Sequence, residues 1–222
     1  PYTTLFRSQR LAMEGRLRRA LQAGEFVVHY QPQFVAATGE VVGCEALVRW
    51  QDPDGGLVPP ANFIPLAEDT GLIVPLGRWV LETACAQAQA WREAGVADLV
   101  MAVNLSGRQL QQRDLVSVVA EALERSALPP DRLKLELTES MIMDHGDEAI
   151  ALLHSLKALG VSLSIDDFGT GYSSLAYLKR FPIDEMKIDR GFVRDTPDNA
   201  SDAEIVATIV AMGRNLKLRV VA

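Results

Sequence analysis

The sequence is poor in several things. It has two cysteines, Cys44 and Cys85, in apolar segments and without metal-ligand spacing. They read as reduced core thiols of a cytoplasmic protein, not as a disulfide or a zinc site. No apolar run approaches bilayer length and no signal peptide opens the chain, so the segment makes no membrane contact. Positive charge is also short: Lys and Arg total 22 against 29 Asp and Glu, a net charge of −7. That excludes broad binding to polymeric nucleic acid while leaving room for a local basic pocket holding one phosphate. There are three histidines. His29, His145 and His154 read as out of phase with the acids at the strand ends, hence as packed or surface residues.

What is present is a soluble, globular composition: 48% hydrophobic and 23% charged over 222 residues, enough for one domain with a sizeable core. Residues 1–8 match neither the composition nor the periodicity of the rest of the chain and read as a non-native scar. Residues 9–24 read as a lead-in linker helix ending at Gly24. The domain proper takes residues 25–222. It opens with two strands, 26–35 and 41–50, joined as a hairpin, then a loop at 51–56 and helices at 60–69 and 74–94. From there strands (99–105, 133–138, 161–166, 185–188, 217–222) alternate with helices (114–126, 148–159, 172–179, 203–215). Such alternation implies a mainly parallel sheet with helices outside it.

Alternation within the strands shows where chemistry collects, because successive side chains point to opposite faces. Leu133, Leu135 and Leu137 share one face; Lys134, Glu136 and Thr138 share the other. Val161, Leu163 and Ile165 oppose Ser162, Ser164 and Asp166. Met186 and Ile188 oppose Glu185, Lys187 and Asp189. Glu45, Leu47 and Arg49 share a face, as do Val100, Ala102 and Asn104. Each strand has a greasy face and a smaller or polar face. Five of them present Glu45, Asn104, Glu136, Asp166 and Lys187 near their carboxyl ends, the rim on which a parallel barrel builds its active site. The ligand set is oxygen-based and suits Mg²⁺ or Mn²⁺. Asp166 and Asp167, followed by Phe168-Gly169-Thr170-Gly171, would repel each other unless a cation sits near or one stays protonated. Read alone, the same stretch is better taken as a helix cap after a strand with a glycine turn.

Glu45-Ala46-Leu47-Val48-Arg49-Trp50, Asn104-Leu105-Ser106, Glu136-Leu137-Thr138-Glu139, Asp166-Asp167-Phe168-Gly169-Thr170-Gly171 and Lys187-Ile188-Asp189 stand in the order and spacing of the EAL domain, which the chain resembles from residue 26 onward. Tyr30-Gln31-Pro32 also matches. The resemblance implies a modified (β/α)₈ TIM-type barrel, α/β in class, with an antiparallel first strand. It implies metal-dependent hydrolysis of cyclic di-GMP to linear pGpG at a two-metal site. In that family's terms Glu45, Asn104, Glu136 and Asp166 are ligands of one Mg²⁺ or Mn²⁺. Asp167 ligates a second and holds the attacking water, and Lys187 positions that water or helps deprotonate it. Glu139 steadies the 166–171 loop. Gln31, Leu47, Arg49 and Asp189 contact the substrate, Arg49 at a phosphate.

The family continues past this point with a Glu-Gly-Val-Glu motif carrying a further ligand. The barrel is therefore expected to be incomplete at the C-terminus, and the chain as it stands to bind metal poorly and turn over little substrate. Two other readings stand beside the enzyme: a non-catalytic cyclic di-GMP sensor, and an unrelated metal barrel of the enolase type. Residues 10–23 resemble the linker that often follows a GGDEF domain. An upstream GGDEF or sensory domain and a second copy of the chain are the partners this leaves room for.

Overall fold

The computed structural model describes residues 2–96, 98–170, 178–196 and 199–222. Helix α1 (Tyr2–Ala23) leads into a hairpin of β1 (Phe26–Phe34) and β2 (Val41–Asp52). A short β3 (Gly56–Val58) pairs antiparallel with the end of β2, where the sequence suggested only a loop. A 3₁₀ turn at Pro60–Asn62 precedes α2 (Ile64–Thr70) and α3 (Ile73–Glu93). Next along the chain are β4 (Val100–Asn104), α4 (Gly107–Leu110), α5 (Leu115–Ser126), β5 (Leu133–Thr138), α6 (Glu139–Ala158) and β6 (Ser162–Phe168). The chain closes with β7 (Glu185–Ile188), α7 (Arg190–Asp195), α8 (Ala200–Asn215) and β8 (Arg219–Val221). The short helix expected at 172–179 falls mostly outside the described residues. Helix α6 starts nine residues earlier than its periodicity suggested, because it contains a break: Gly146 has φ 49° and ψ −126°.

The strands lie in the order β1-β2-β4-β5-β6-β7-β8. The β1–β2 pair is antiparallel and each pair from β2–β4 to β7–β8 is parallel. This is the barrel-type α/β sheet with an inverted first strand that the sequence pointed to, here a half-barrel with β1 and β8 at its two ends. The sheet curls strongly. Lys187 on β7 hydrogen-bonds Glu45 on β2 at 2.9 Å, although four strand steps separate them. A flat sheet would put those strands about 19 Å apart, further than the two side chains can bridge. Gly43 permits the close approach at the β2–β4 seam, since a Cβ there would lie 2.7 Å from the Val100 carbonyl oxygen.

The convex face is the main core. Met101, Leu133, Leu135, Leu137, Leu163 and Met186 are all buried there, against Leu81, Ala84 and Cys85 of α3, Val119 of α5 and Leu153 and Leu156 of α6. Each buried leucine contributes roughly 1.5–3 kcal/mol. Burial pushes the thiols of Cys44 and Cys85 up to about 11 and about 12, so both are inert core residues. A second, smaller core joins Leu17 and Ala20 of α1 to Phe26, Trp50, Phe63, Ala67 and Leu76. Arg16 pairs with Asp52 and stacks its guanidinium 5.5 Å from the Trp50 ring. Helix α1 is thereby seated on the hairpin and α2. Among the described residues no helix is long and apolar enough to cross a membrane.

Candidate metal centre and substrate rim

Curling turns the polar strand faces toward one another. Lys187 Nζ is the hub: it donates to Glu136 Oε2 at 2.8 Å, Glu45 Oε2 at 2.9 Å and Asp166 Oδ2 at 3.0 Å. Asn104 Nδ2 donates to Glu45 Oε1 at 2.7 Å. Neighbouring parallel strands thus deliver five polar groups to one point, through the registers Asn104↔Glu136 and Thr138↔Asp166 and the placement of Glu45 beside Ala102. The sequence grouped these residues by phase; the curvature brings them into contact.

Three carboxylates around one ammonium leave excess negative charge. Glu136 is wholly buried, and its Oε1 has no hydrogen-bond partner. Burial pushes its carboxyl up to about 7; Lys187 opposes the rise while Glu45 and Asp166 add to it. For Lys187, burial disfavours the charge, but Glu136, Asp166 and Glu45 outweigh it and hold the ammonium well above its ordinary value. One oxygen from each of Glu45, Glu136 and Asp166 can be chosen so that all lie within 4.8 Å of one another. That is the span of oxygens around one divalent cation at the roughly 2.0–2.6 Å bonds such ions make. The unpartnered buried oxygen and the all-oxygen donor set fit a hard cation.

Asp167 reaches the rim by a different route. In a regular strand it would point away from Asp166. Instead Ile165 pairs with Met186 and Phe168 with Ile188, so two residues on β6 face the single Lys187 on β7. This is a β-bulge. Asp167 adopts φ 54°, and its amide donates to Asp166 Oδ1 at 2.9 Å. The bulge returns Phe168 to the core (4% exposed) and leaves Asp167 beside Asp189. Partial burial, Asp166 and Asp189 all raise the Asp167 carboxyl, with Lys187 opposing. Asp189 also accepts from the Gly191 amide at 2.8 Å and so caps α7. The loop is tied down by Glu139, buried at the start of α6, whose Oε2 accepts from the Gly169 amide at 3.1 Å. Gly169 sits at φ 101°, with Phe192 3.0 Å from where a Cβ would be.

Gln31, Leu47 and Arg49 lie on the same concave face, since Gln31 stands opposite Glu45 in the hairpin. Arg49 is half-buried and donates from Nη1 to its neighbour's carbonyl, Val48 O, at 2.9 Å. Two features escaped sequence reasoning. Beneath the hub, Lys134 and Glu185 form a buried ion pair at 2.6 Å, with Gln33 Oε1 3.4 Å from Lys134 Nζ. Phase puts both on the polar face, but they stand two strands apart, so only the tertiary arrangement shows that they meet. His29 is the other, and here the structure corrects the sequence reading. It pairs with Leu47, in phase with Gln31 and the acid set, and counting two residues back from Gln31 would have found it. His154 is exposed on α6, as expected of a surface residue; the His145 side chain lies outside the described set.

A mostly parallel, barrel-type sheet with an acidic cluster that could hold a metal ion at the carboxyl ends of its strands defines a barrel-type α/β protein. The family follows from comparison: the EAL domain family profile matches residues 14–222, and the chain belongs to that family. It is 52% identical over 206 residues to the bifunctional diguanylate cyclase/cyclic di-GMP phosphodiesterase MucR of Pseudomonas aeruginosa, covering 93% of this chain and 30% of that protein. It is 48% identical over 215 residues to the cyclic di-GMP phosphodiesterase NbdA of the same organism, covering 97% and 28%. A solved structure, the PaMucR phosphodiesterase in complex with c-di-GMP, superposes with a TM-score of 0.91 at 50% identity, covering 94% of this chain and 85% of that one. The chain therefore spans a little under a third of these two curated relatives.

Proposed function

We propose that this domain hydrolyses cyclic di-GMP to linear pGpG at a two-metal site. The observation that carries the reading is the convergence of Glu45, Glu136 and Asp166 on Lys187, with Glu136 Oε1 buried and unpartnered. Glu45, Asn104, Glu136 and Asp166 would hold one Mg²⁺ or Mn²⁺, and Asp167, beside Asp189, the second. Bound there, divalent cations neutralise phosphodiester oxygens and make water a competent nucleophile at neutral pH.

The chain's own residues supply the rest. Lys187 stands with its three N–H donors on Glu136, Glu45 and Asp166, so it orients the attacking water with a donor released when those carboxylates turn to the metal. Asp167 holds the same water. Water oxygen adds to phosphorus and loses a proton, one P–O3′ bond breaks, and the 3′ oxygen takes up a proton and leaves as a hydroxyl, giving a linear dinucleotide with a 5′-phosphate. Arg49 clamps a phosphate oxygen with its planar fork; Gln31, Leu47 and Asp189 border the nucleotide. Glu139 keeps the Asp167 loop in register through Gly169. A cytoplasmic location, a cyclase-type domain elsewhere in the full protein and a homodimer complete the proposal. The diguanylate cyclase named in the MucR relative supports the second of these.

The test is to add cyclic di-GMP with Mg²⁺ or Mn²⁺ to the completed domain, carrying the Glu-Gly-Val-Glu motif, and follow pGpG by chromatography and binding by calorimetry. Cleavage supports the enzyme; binding without cleavage points to the sensor; neither sinks both. Asp167→Asn is expected to abolish cleavage while sparing most binding. Unchanged cleavage in that variant would remove Asp167 from the mechanism.

A further inference from the structure

We infer that His29 is a further substrate-binding residue, hydrogen-bonding the cyclic dinucleotide between the metal-ligand cluster and Arg49. This role rests on the proposed activity. Its basis is the hairpin register. Directly opposed residues of an antiparallel pair share a face, and Gln31↔Glu45, His29↔Leu47 and Val27↔Arg49 succeed one another along β1 and β2. Glu45 belongs to the Lys187 hub, so this face is the concave one. His29 is therefore on the site side, one pair further toward the rim than Glu45 and one pair short of Arg49.

Two residues of strand span about 6–7 Å, so Glu45 and Arg49 are separated by about 13 Å along β2. A phosphodiester reaching from the acidic cluster toward the Arg49 guanidinium must pass over the Leu47–His29 pair. Leu47 gives that step an apolar floor. His29 gives it the only side chain of the pair able to hydrogen-bond. The imidazole is exposed and makes no hydrogen bond to any described residue, so nothing among those residues competes for its nitrogens. Of the six residues in these three pairs, Gln31, Glu45 and Arg49 already have assignments in the proposed site and Val27 and Leu47 are apolar. His29 is the polar one left without a use.

An imidazole N–H facing a phosphate or ribose oxygen makes a charge-assisted or polar bond. Its loss on truncation should raise the dissociation constant by roughly tenfold or more. The experiment compares wild type, His29→Ala and His29→Gln of the completed domain, each in the Asp167→Asn background with Mg²⁺, by calorimetric titration of cyclic di-GMP. His29→Ala should weaken binding by that factor, and His29→Gln, which keeps a donor, should recover most of it. In the cleaving enzyme the same substitution should raise KM more than it lowers kcat. Because the chain has three histidines, NMR gives an independent reading. The imidazole C–H signal that disappears in His29→Gln should shift when cyclic di-GMP is added to wild type, and the His154 signal should not. An unchanged dissociation constant in His29→Ala, or an unmoved His29 signal in a wild type that binds, overturns the inference and leaves the proposed activity standing. Absence of binding and cleavage in wild type overturns the activity itself.

Discussion

Proton and metal should compete for Glu136, and the competition has a calculable size. Its side chain is fully buried, one oxygen on Lys187 and the other without a partner, and burial pushes the carboxyl from an ordinary 4.5 up to about 7. A carboxylate must be ionised to ligate. For one displaced proton the apparent dissociation constant scales as 1 + 10^(pKa − pH). Between pH 8 and pH 5 affinity for Mn²⁺ should therefore fall roughly a hundredfold, against about 1.3-fold for an unshifted glutamate. Calorimetric titration of Mn²⁺ in buffers of different ionisation enthalpy counts the protons released: about 0.5 at pH 7 and about 0.9 at pH 6. Glu136→Gln should bind more weakly but with a flat profile. A wild-type affinity that stays flat from pH 6 to 8 would refute the buried, proton-holding Glu136.

The metal-free protein carries the same linkage. The folded value lies above the unfolded one, so the native state binds the extra proton and stability falls as pH rises from about 4.5 to about 7. Glu136 contributes up to about 3 kcal/mol to that fall. Asp167, also raised, acts in the same direction. Lys187 is raised as a base, so its stabilisation is fully present throughout this window.

The ion pair beneath the site gives a second prediction: Lys134→Met leaves Glu185 buried and should cost about 3–5 kcal/mol. The lower figure is expected because Arg219 stands 3.7 Å from Glu185. The double variant Lys134→Met, Glu185→Leu should recover most of the loss in urea denaturation, and strictly additive losses would show that the pair is not coupled. At the loop, Gly169→Ala forces a side chain into φ 101° against Phe192 and Ile209. It should lower stability by about 1–3 kcal/mol and reduce cleavage as Asp167 shifts. A variant with wild-type melting temperature and turnover would contradict the described loop.

Much of this site could be read from strand phase. Glu45, Asn104, Glu136, Asp166 and Lys187 alternate with Cys44, Val103, Leu135, Ile165 and Met186, so a period of two was enough to put them on one face. The same count, carried back along β1 from Gln31, reaches His29; its phase relative to the acids is fixed only by the hairpin register, which sets His29 opposite Leu47. Helix α6 was legible only past its break, since Gly146 interrupts the periodicity that locates a helix. The tie between Glu139 and Gly169 joins residues thirty positions apart; it has no local signature and was expected only through the family resemblance.

Hydrophobic alternation, turn residues and the order of strands and helices determined the element types, the parallel sheet with an inverted first strand and the grouping of polar residues, because these depend on neighbours along the chain. Which polar residues touch depended on curvature. Only a curled sheet lets Lys187 meet Glu45 across four strand steps, and only the strand order brings Lys134 and Glu185 within reach across two. The bulge at Asp166 and Asp167 was likewise a tertiary decision. Two adjacent acids would face opposite ways in a regular strand; the core's claim on Phe168, against Ile188 on the next strand, puts the extra residue between them and turns Asp167 toward Asp189.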